Sequence, residues 1–359
     1  MTDGRKSVLI IGAGSVGAIA ALNLEVGGLA SVTVALRSSY NAVKEQGYII
    51  ESCDHGSLKS FRPSVVRNSI PDIIAEGLPP YDYIILSTKS VPDVGPTALD
   101  LIAPALPKDN AHTTLVLLQN GLNIEKPFLT SHPQTIVLSG VSMIGSAEPT
   151  PGHIIQNEPD RLLVGAFPHP AVDTQIASAR AQEFVKIYAA GGKTDCKYSP
   201  DVPHDRWRKL VYNACLNPIC AITGVDSGRI RLADGGLAGL VRPAMREIVA
   251  AAKAVANVEL DEDVVEKVIE TDPIESWAKP SMQQDLAKVR PRHTEPPIVL
   301  LAENKQGNYI EFENLLGEPL REGKKAGVPM PTLEVLYQLT RTIQWRTKEA
   351  KGLVQLPGK

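Results

Sequence analysis

This sequence has no apolar run long enough to cross a bilayer, no internal repeat and no low-complexity tract. A spanning helix needs about 18 or more apolar residues in a row, so an integral membrane role is not expected. The chain opens polar, from Met1 to Ser7, and passes directly into an apolar strand, without the apolar segment and small-residue cleavage site of a secretory signal. A peroxisomal tripeptide is also missing, since the last residues read Leu356-Pro357-Gly358-Lys359. Charge of one sign is not in excess. The formal net charge of −3 gives no basic field for nucleic acid and no polybasic stretch for a membrane surface. Cysteine is scarce: Cys53, Cys196, Cys215 and Cys220 form no C-x-x-C pair. Their spacing suits neither a zinc site nor a disulfide framework, and no metal centre is expected. Reduced, mostly buried thiols fit a cytoplasmic protein.

What is present is ordinary globular material. The chain has 359 residues, of which 43% are hydrophobic and 21% charged, enough for two domains with sizeable cores. In the first half, short apolar runs alternate with helical patterns. Strands are expected at Ser7–Ile11, Val32–Leu36, Tyr83–Leu86, Thr114–Leu118 and Thr135–Ser139, with a helix over Val16–Val26. Near-continuous Val, Ile and Leu strands separated by helices indicate a parallel sheet covered on both faces. The texture turns polar and proline-bearing around Asp195–Pro203, which reads as a linker. Helical periodicity follows at His204–Thr223, Leu237–Val258, Asp261–Glu270, Leu315–Ala326 and Leu333–Lys351. The expected architecture is α/β: a doubly wound parallel sheet of the Rossmann type over residues 1–198, then an all-helical domain over 199–359. Pro291–Gly307, with Pro296-Pro297, reads as a long loop within the second domain.

The turn Gly12-Ala13-Gly14-Ser15-Val16-Gly17 follows the first strand and opens the first helix. In that context the pattern is a dinucleotide fingerprint. Gly12 permits the tight turn, Gly14 lets backbone approach the pyrophosphate, and Gly17 lets the helix pack closely. The unpaired N–H groups of the helix start then face the anion. An NAD site places Asp or Glu at the end of the second strand. This chain reads Leu36-Arg37-Ser38-Ser39 there. The planar donor fork of Arg37 suits the 2′-phosphate of NADP(H), with Ser38 or Ser39 as further donors. Lys89 and Asn120 follow the strands Tyr83–Leu86 and Thr114–Leu118, at the strand ends that face the ligand crevice in such folds. Both are also common turn residues.

Lys209, Asn213 and Asn217 recur every four residues and make one polar stripe on an otherwise apolar helix. Asn is a poor helix former, so the stripe reads as the polar wall of a cleft rather than a solvated face. Pro218 ends or kinks this helix.

At this point the chain resembles the ketopantoate reductase (2-dehydropantoate 2-reductase) family. The matching segments are GAGSVGA from Gly12, the Lys89 turn, LQNGLN at Leu118–Asn123, Pro151-Gly152-His153 and RLLVG at Arg161–Gly165. They continue, in order, with Trp207–Gly224, PSMQQD at Pro280–Asp285 and IEFENLLG at Ile310–Gly317. The resemblance implies a two-domain reductase that closes over NADPH and a 2-oxo acid. It implies Lys209 as general acid, with Asn120, Asn213, Asn217 and Ser281 holding the substrate and Asn120 also near the nicotinamide. It further implies Gly12, Gly14, Ser15, Val16, Gly17, Arg37 and Lys89 as cofactor residues, and Glu311 as a glutamate that contacts the cofactor and supports catalysis. One departure stands out. Pro291–Asn308 is inserted before the glutamate motif, and Glu295 and Glu313 are alternatives to Glu311.

Three functions remain open at this stage. They are reduction of 2-dehydropantoate to pantoate in pantothenate biosynthesis, reduction of another branched 2-oxo acid such as 2-oxoisovalerate, and a non-catalytic NADP(H) sensor. The expected partner is a small molecule, with neither nucleic acid nor membrane, and a homodimer is expected from base rate alone.

Overall fold

A computed structural model describes residues 4–107, 112–287 and 307–357. The chain divides into two compact units, Met1–Asn120 with Ile124–Asp205, and Gly121–Asn123 with Arg206–Lys359.

Among its described residues the first unit is built on twelve strands: β1 Lys6–Ile11, β2 Ala30–Ala35, β3 Tyr48–Ser52, β4 Gly56–Phe61, β5 Val65–Arg67, β6 Tyr83–Leu86, β7 Thr114–Leu117, β8 Val137–Ser142, β9 Ser146–Thr150, β10 His153–Gln156, β11 Arg161–Ala166 and β12 Asp195–Tyr198. Eight of them form a sheet in the order β12-β11-β8-β7-β6-β1-β2-β5. All its pairings are parallel except β11 with β8. The strands alternate sides, as period two requires. Val8, Ile10, Tyr83, Ile85 and Val116 join one core, while Leu9, Ile11, Ile84, Leu86, Leu115 and Leu117 join the other. Both faces are therefore buried, which explains the unbroken apolar runs. Helices Ser15–Val26 and Thr174–Ala189 supply Ile19, Leu22, Phe184 and Ile187 to the first core. Ile102, Ala105 and Phe128 cover the opposite face.

Three features depart from expectation. The fifth expected strand is shifted to Val137–Ser142, where small residues continue it. The polar stretch read as a linker begins with strand β12, which pairs with β11 at the sheet edge and buries only Cys196. Its outward residues give it the texture of a loop. A second sheet, β4-β3-β10-β9, was not foreseen. Its β4 is exposed or half-buried throughout, so it carries no apolar run to mark it.

The second unit is helical, and its core gathers Trp207, Val211, Met245, Ile248, Leu316 and Leu333 among others. Its α-helices among the described residues are Val202–Asn213, within which the division falls, then Leu216–Thr223, Ser227–Leu232, Arg242–Ala256, Val264–Ile269, Ser281–Ala287, Glu318–Lys325 and Pro331–Ala350. Single π-helical turns at Gly236–Val241 and Glu313–Gly317 precede two of them. No helix among the described residues is long and apolar enough to cross a membrane. Cys196, Cys215 and Cys220 are buried, Cys53 is exposed, and none is in a disulfide.

Candidate active site

In the first unit the chain leaves β1 for β2 on one side and returns to β6 on the other, so the strand order reverses beside the C-terminal end of β1. Ligands bind at such switch points. The glycine turn lies there. Gly12 has φ of 94°, and a Cβ on it would stand 2.5 Å from the Thr88 nitrogen. Only glycine fits both constraints. Ser87 Oγ donates to the Gly12 carbonyl at 2.8 Å, and Tyr48 OH donates to the Ala13 carbonyl at 2.8 Å. These bonds hold the turn from two sides. Gln119 Nε2 donates to the Thr88 carbonyl and hydroxyl at 2.9 and 3.1 Å. The Lys89 and Asn120 turns are thereby brought together. Lys89 is exposed and Asn120 half-buried.

Ser15, Val16 and Gly17 begin the helix Ser15–Val26, whose N-cap Gly14 receives no side-chain cap. A Cβ built on Gly14 meets only Glu148 Oε2, at 3.5 Å. Apart from that carboxylate oxygen nothing lies within 4 Å of this position, so the turn leaves its backbone bare for close approach and its residues fit a dinucleotide. Arg37 is exposed at the end of β2, without an ion pair among the described residues. Ser39, named as a further phosphate donor, gives its hydroxyl to Glu148 Oε1 at 2.5 Å. Glu148 also accepts the Gly152 N–H at 2.9 Å. Nothing near Arg37 in the sequence announces this carboxylate.

The second unit carries the polar stripe. Lys209 is half-buried on the helix Val202–Asn213. Its pKa is pushed down to about 7, first by burial and then by the Arg206 charge, with Glu311 pulling the other way. Arg206 is itself 5% exposed, one turn before Lys209, and donates to the Gly121 carbonyl at 3.4 Å. Asn213 and Asn217 are buried, and Asn217 Nδ2 donates to Asn213 Oδ1 at 3.2 Å. Asn217 Oδ1 accepts from Ser281 Oγ at 3.3 Å and from the Met282 N–H at 3.2 Å. Ser281, 64 residues from Asn217 in the chain, thus joins Asn213 and Asn217 in one hydrogen-bonded path, with Lys209 one turn before its first member.

Glu311 lies two residues before the π-turn, whose Leu315 and Leu316 enter the helical core. Glu313 is engaged elsewhere, accepting from Tyr337 OH at 3.0 Å and from Arg321 at 2.9 Å. Glu295 and most of the Pro291–Asn308 insertion lie outside the described residues. The segment Gly121–Asn123 belongs to this unit. Gly121 has φ of 104°, and a Cβ there would lie 2.5 Å from Asn314 Cβ. Leu122 and Asn314 exchange bonds, from Leu122 N–H to the Asn314 carbonyl at 2.9 Å and from Asn314 Nδ2 to the Leu122 carbonyl at 3.0 Å.

Residues 8–169 match the family profile described as Ketopantoate reductase PanE/ApbA. Residues 201–296 and 299–344 match the profile described as Ketopantoate reductase PanE/ApbA C terminal. The chain belongs to the ketopantoate reductase family. The uncharacterized protein YDL144C of Saccharomyces cerevisiae is 35% identical over 373 residues, covering 98% of this chain and 97% of the relative. A 2-dehydropantoate 2-reductase of Nostoc sp. is 23% identical over 96% of this chain and 97% of its own length. The crystal structure of 2-dehydropantoate 2-reductase from Methylococcus capsulatus superposes with a TM-score of 0.73 at 29% identity, covering 95% of this chain and 97% of that one. As a ketopantoate reductase family member, the chain is an oxidoreductase of the 2-oxo acid reducing type that uses a nicotinamide dinucleotide.

Proposed function

We propose that this protein reduces 2-dehydropantoate to pantoate with NADPH, a step of pantothenate biosynthesis. The observation that carries this reading is Lys209 with its lowered pKa, one turn before the Asn213–Asn217–Ser281 path. When bound, the nicotinamide supplies a hydride to the ketone carbon. Lys209 holds the ketone oxygen, stabilises the negative charge that builds there, and gives it a proton. Asn213, Asn217 and Ser281 hold the substrate's hydroxyl and carboxylate. Asn120 orients the substrate near the nicotinamide, and Glu311 sustains the charge of Lys209. Arg37 receives the 2′-phosphate and Lys89 assists at the ribose or phosphate, so NADPH is preferred over NADH. The protein is proposed to work in the cytoplasm.

A second reading keeps the chemistry and changes the acid to another branched 2-oxo acid, such as 2-oxoisovalerate. The insertion Pro291–Asn308 before Glu311 favours it. A panel of 2-oxo acids assayed with NADPH and NADH decides between them. The first reading expects the highest kcat/KM for 2-dehydropantoate, with NADPH. An equal or higher value for 2-oxoisovalerate would sink it.

A further inference from the structure

The acid that a dinucleotide site commonly carries at the end of its second strand is missing from Leu36–Ser39, yet the fold brings a carboxylate there from β9. Glu148 reaches Ser39 Oγ with one oxygen, and its other oxygen faces the bare backbone of Gly14. Its strand lies along the same turn, because Ser15 Oγ donates to the Ser146 carbonyl at 3.3 Å. The Gly152 N–H fixes the first oxygen from the β9–β10 connection. The carboxylate therefore bridges the glycine turn and the end of β2. In folds of this class the adenosine ribose sits between those two places, and a carboxylate there accepts its hydroxyls.

We propose that Glu148 is a nucleotide-specificity residue, accepting the ribose hydroxyls of NADH and repelling the 2′-phosphate that Arg37 attracts. The two side chains act in opposition, and the protein binds both nucleotides with a moderated preference for NADPH. This inference rests on the reading that the glycine turn holds the dinucleotide.

Titration of NADPH and NADH into the full chain, followed by nicotinamide fluorescence, tests it. Glu148→Gln keeps an oxygen that can accept from Ser39 and Gly152, so the local hydrogen bonds survive. The affinity ratio of NADPH to NADH is expected to rise roughly tenfold in this variant, about the effect of removing one close like charge at a partly exposed site. Glu148→Asp retains the charge and is expected to stay near the wild-type ratio. A Gln ratio within about twofold of wild type overturns the proposal. Equal tightening of both nucleotides also overturns it, placing the carboxylate against the pyrophosphate instead. Equal shifts for Gln and Asp would overturn it as well, assigning the effect to packing rather than charge. Wild-type protein that binds neither nucleotide would reject the dinucleotide reading itself.

Discussion

Burial draws the Lys209 pKa down to about 7, the Arg206 guanidinium pushes the same way, and the Glu311 carboxylate opposes both. A proton donor works best when its pKa lies near the operating pH. In the free enzyme the donor is charged below that value and loses its proton above it. The kcat/KM for reduction is therefore expected to fall as pH rises through about 7. Glu311→Gln removes that opposing charge, so the break should move to lower pH. A kcat/KM that stays flat between about pH 6 and 9 would remove Lys209 from the proton transfer, since a general acid must show its titration there. Lys209, Asn213 and Asn217 were legible in the sequence because helical spacing writes a face as a repeat of four. Ser281 was legible only through the family motif. Glu148 was not legible, because it lies 109 residues from Ser39 and joins it through a second sheet that the apolar pattern does not reveal. Arg206 carried a fainter signal, its position one turn before Lys209.

At the scale of elements, proline explains most of what the periodicity misjudged. Two segments read as continuous helices change their winding just before a proline, and the break or kink expected at Pro218 falls just ahead of it. Ala214-Cys215 separate two helices ahead of Pro218, and π-turns precede Pro243 and Pro319. Proline has no N–H to bond the carbonyl four residues back, and its ring crowds that carbonyl. The helix yields there and restarts with the proline in its first turn, where an N–H would be unpaired anyway. The break before Pro218 leaves Asn213 and Asn217 on different helices, yet they remain hydrogen-bonded. Gly121 poses a sharper constraint, for its backbone is left-handed and its open face is filled by Asn314. Gly121→Ala should lower the stability of the intact chain by roughly 2 kcal/mol or more, the sum of backbone strain and a clash against backbone atoms. Urea midpoints measure this, and a loss under about 0.5 kcal/mol, the size of a neutral surface change, would show that the loop yields easily.

For the molecule as a whole, the α/β class and the helical second half were legible because buried parallel strands and amphipathic helices write different periods into a sequence. The edges were not, since β12 and the second sheet are polar on their outward faces. The division of labour between the two units gives the last test. The glycine turn, Arg37 and Lys89, proposed to hold the nucleotide, belong to the first unit, and Lys209 and Glu311 to the second. A ligand that binds only the folded state stabilises it by about 2.7 kcal/mol at a hundredfold excess over Kd. NADPH should raise the melting temperature of wild type and of Lys209→Ala by similar amounts, while the variant loses roughly two to four orders of magnitude in kcat. Loss of the thermal shift in Lys209→Ala would make the lysine a binding residue rather than an acid. Wild-type protein that shows the shift but reduces no acid of the panel would be a sensor. The half-buried Lys209 argues for the enzyme, because holding an ammonium beside the Arg206 charge costs free energy that a binding module has no need to meet.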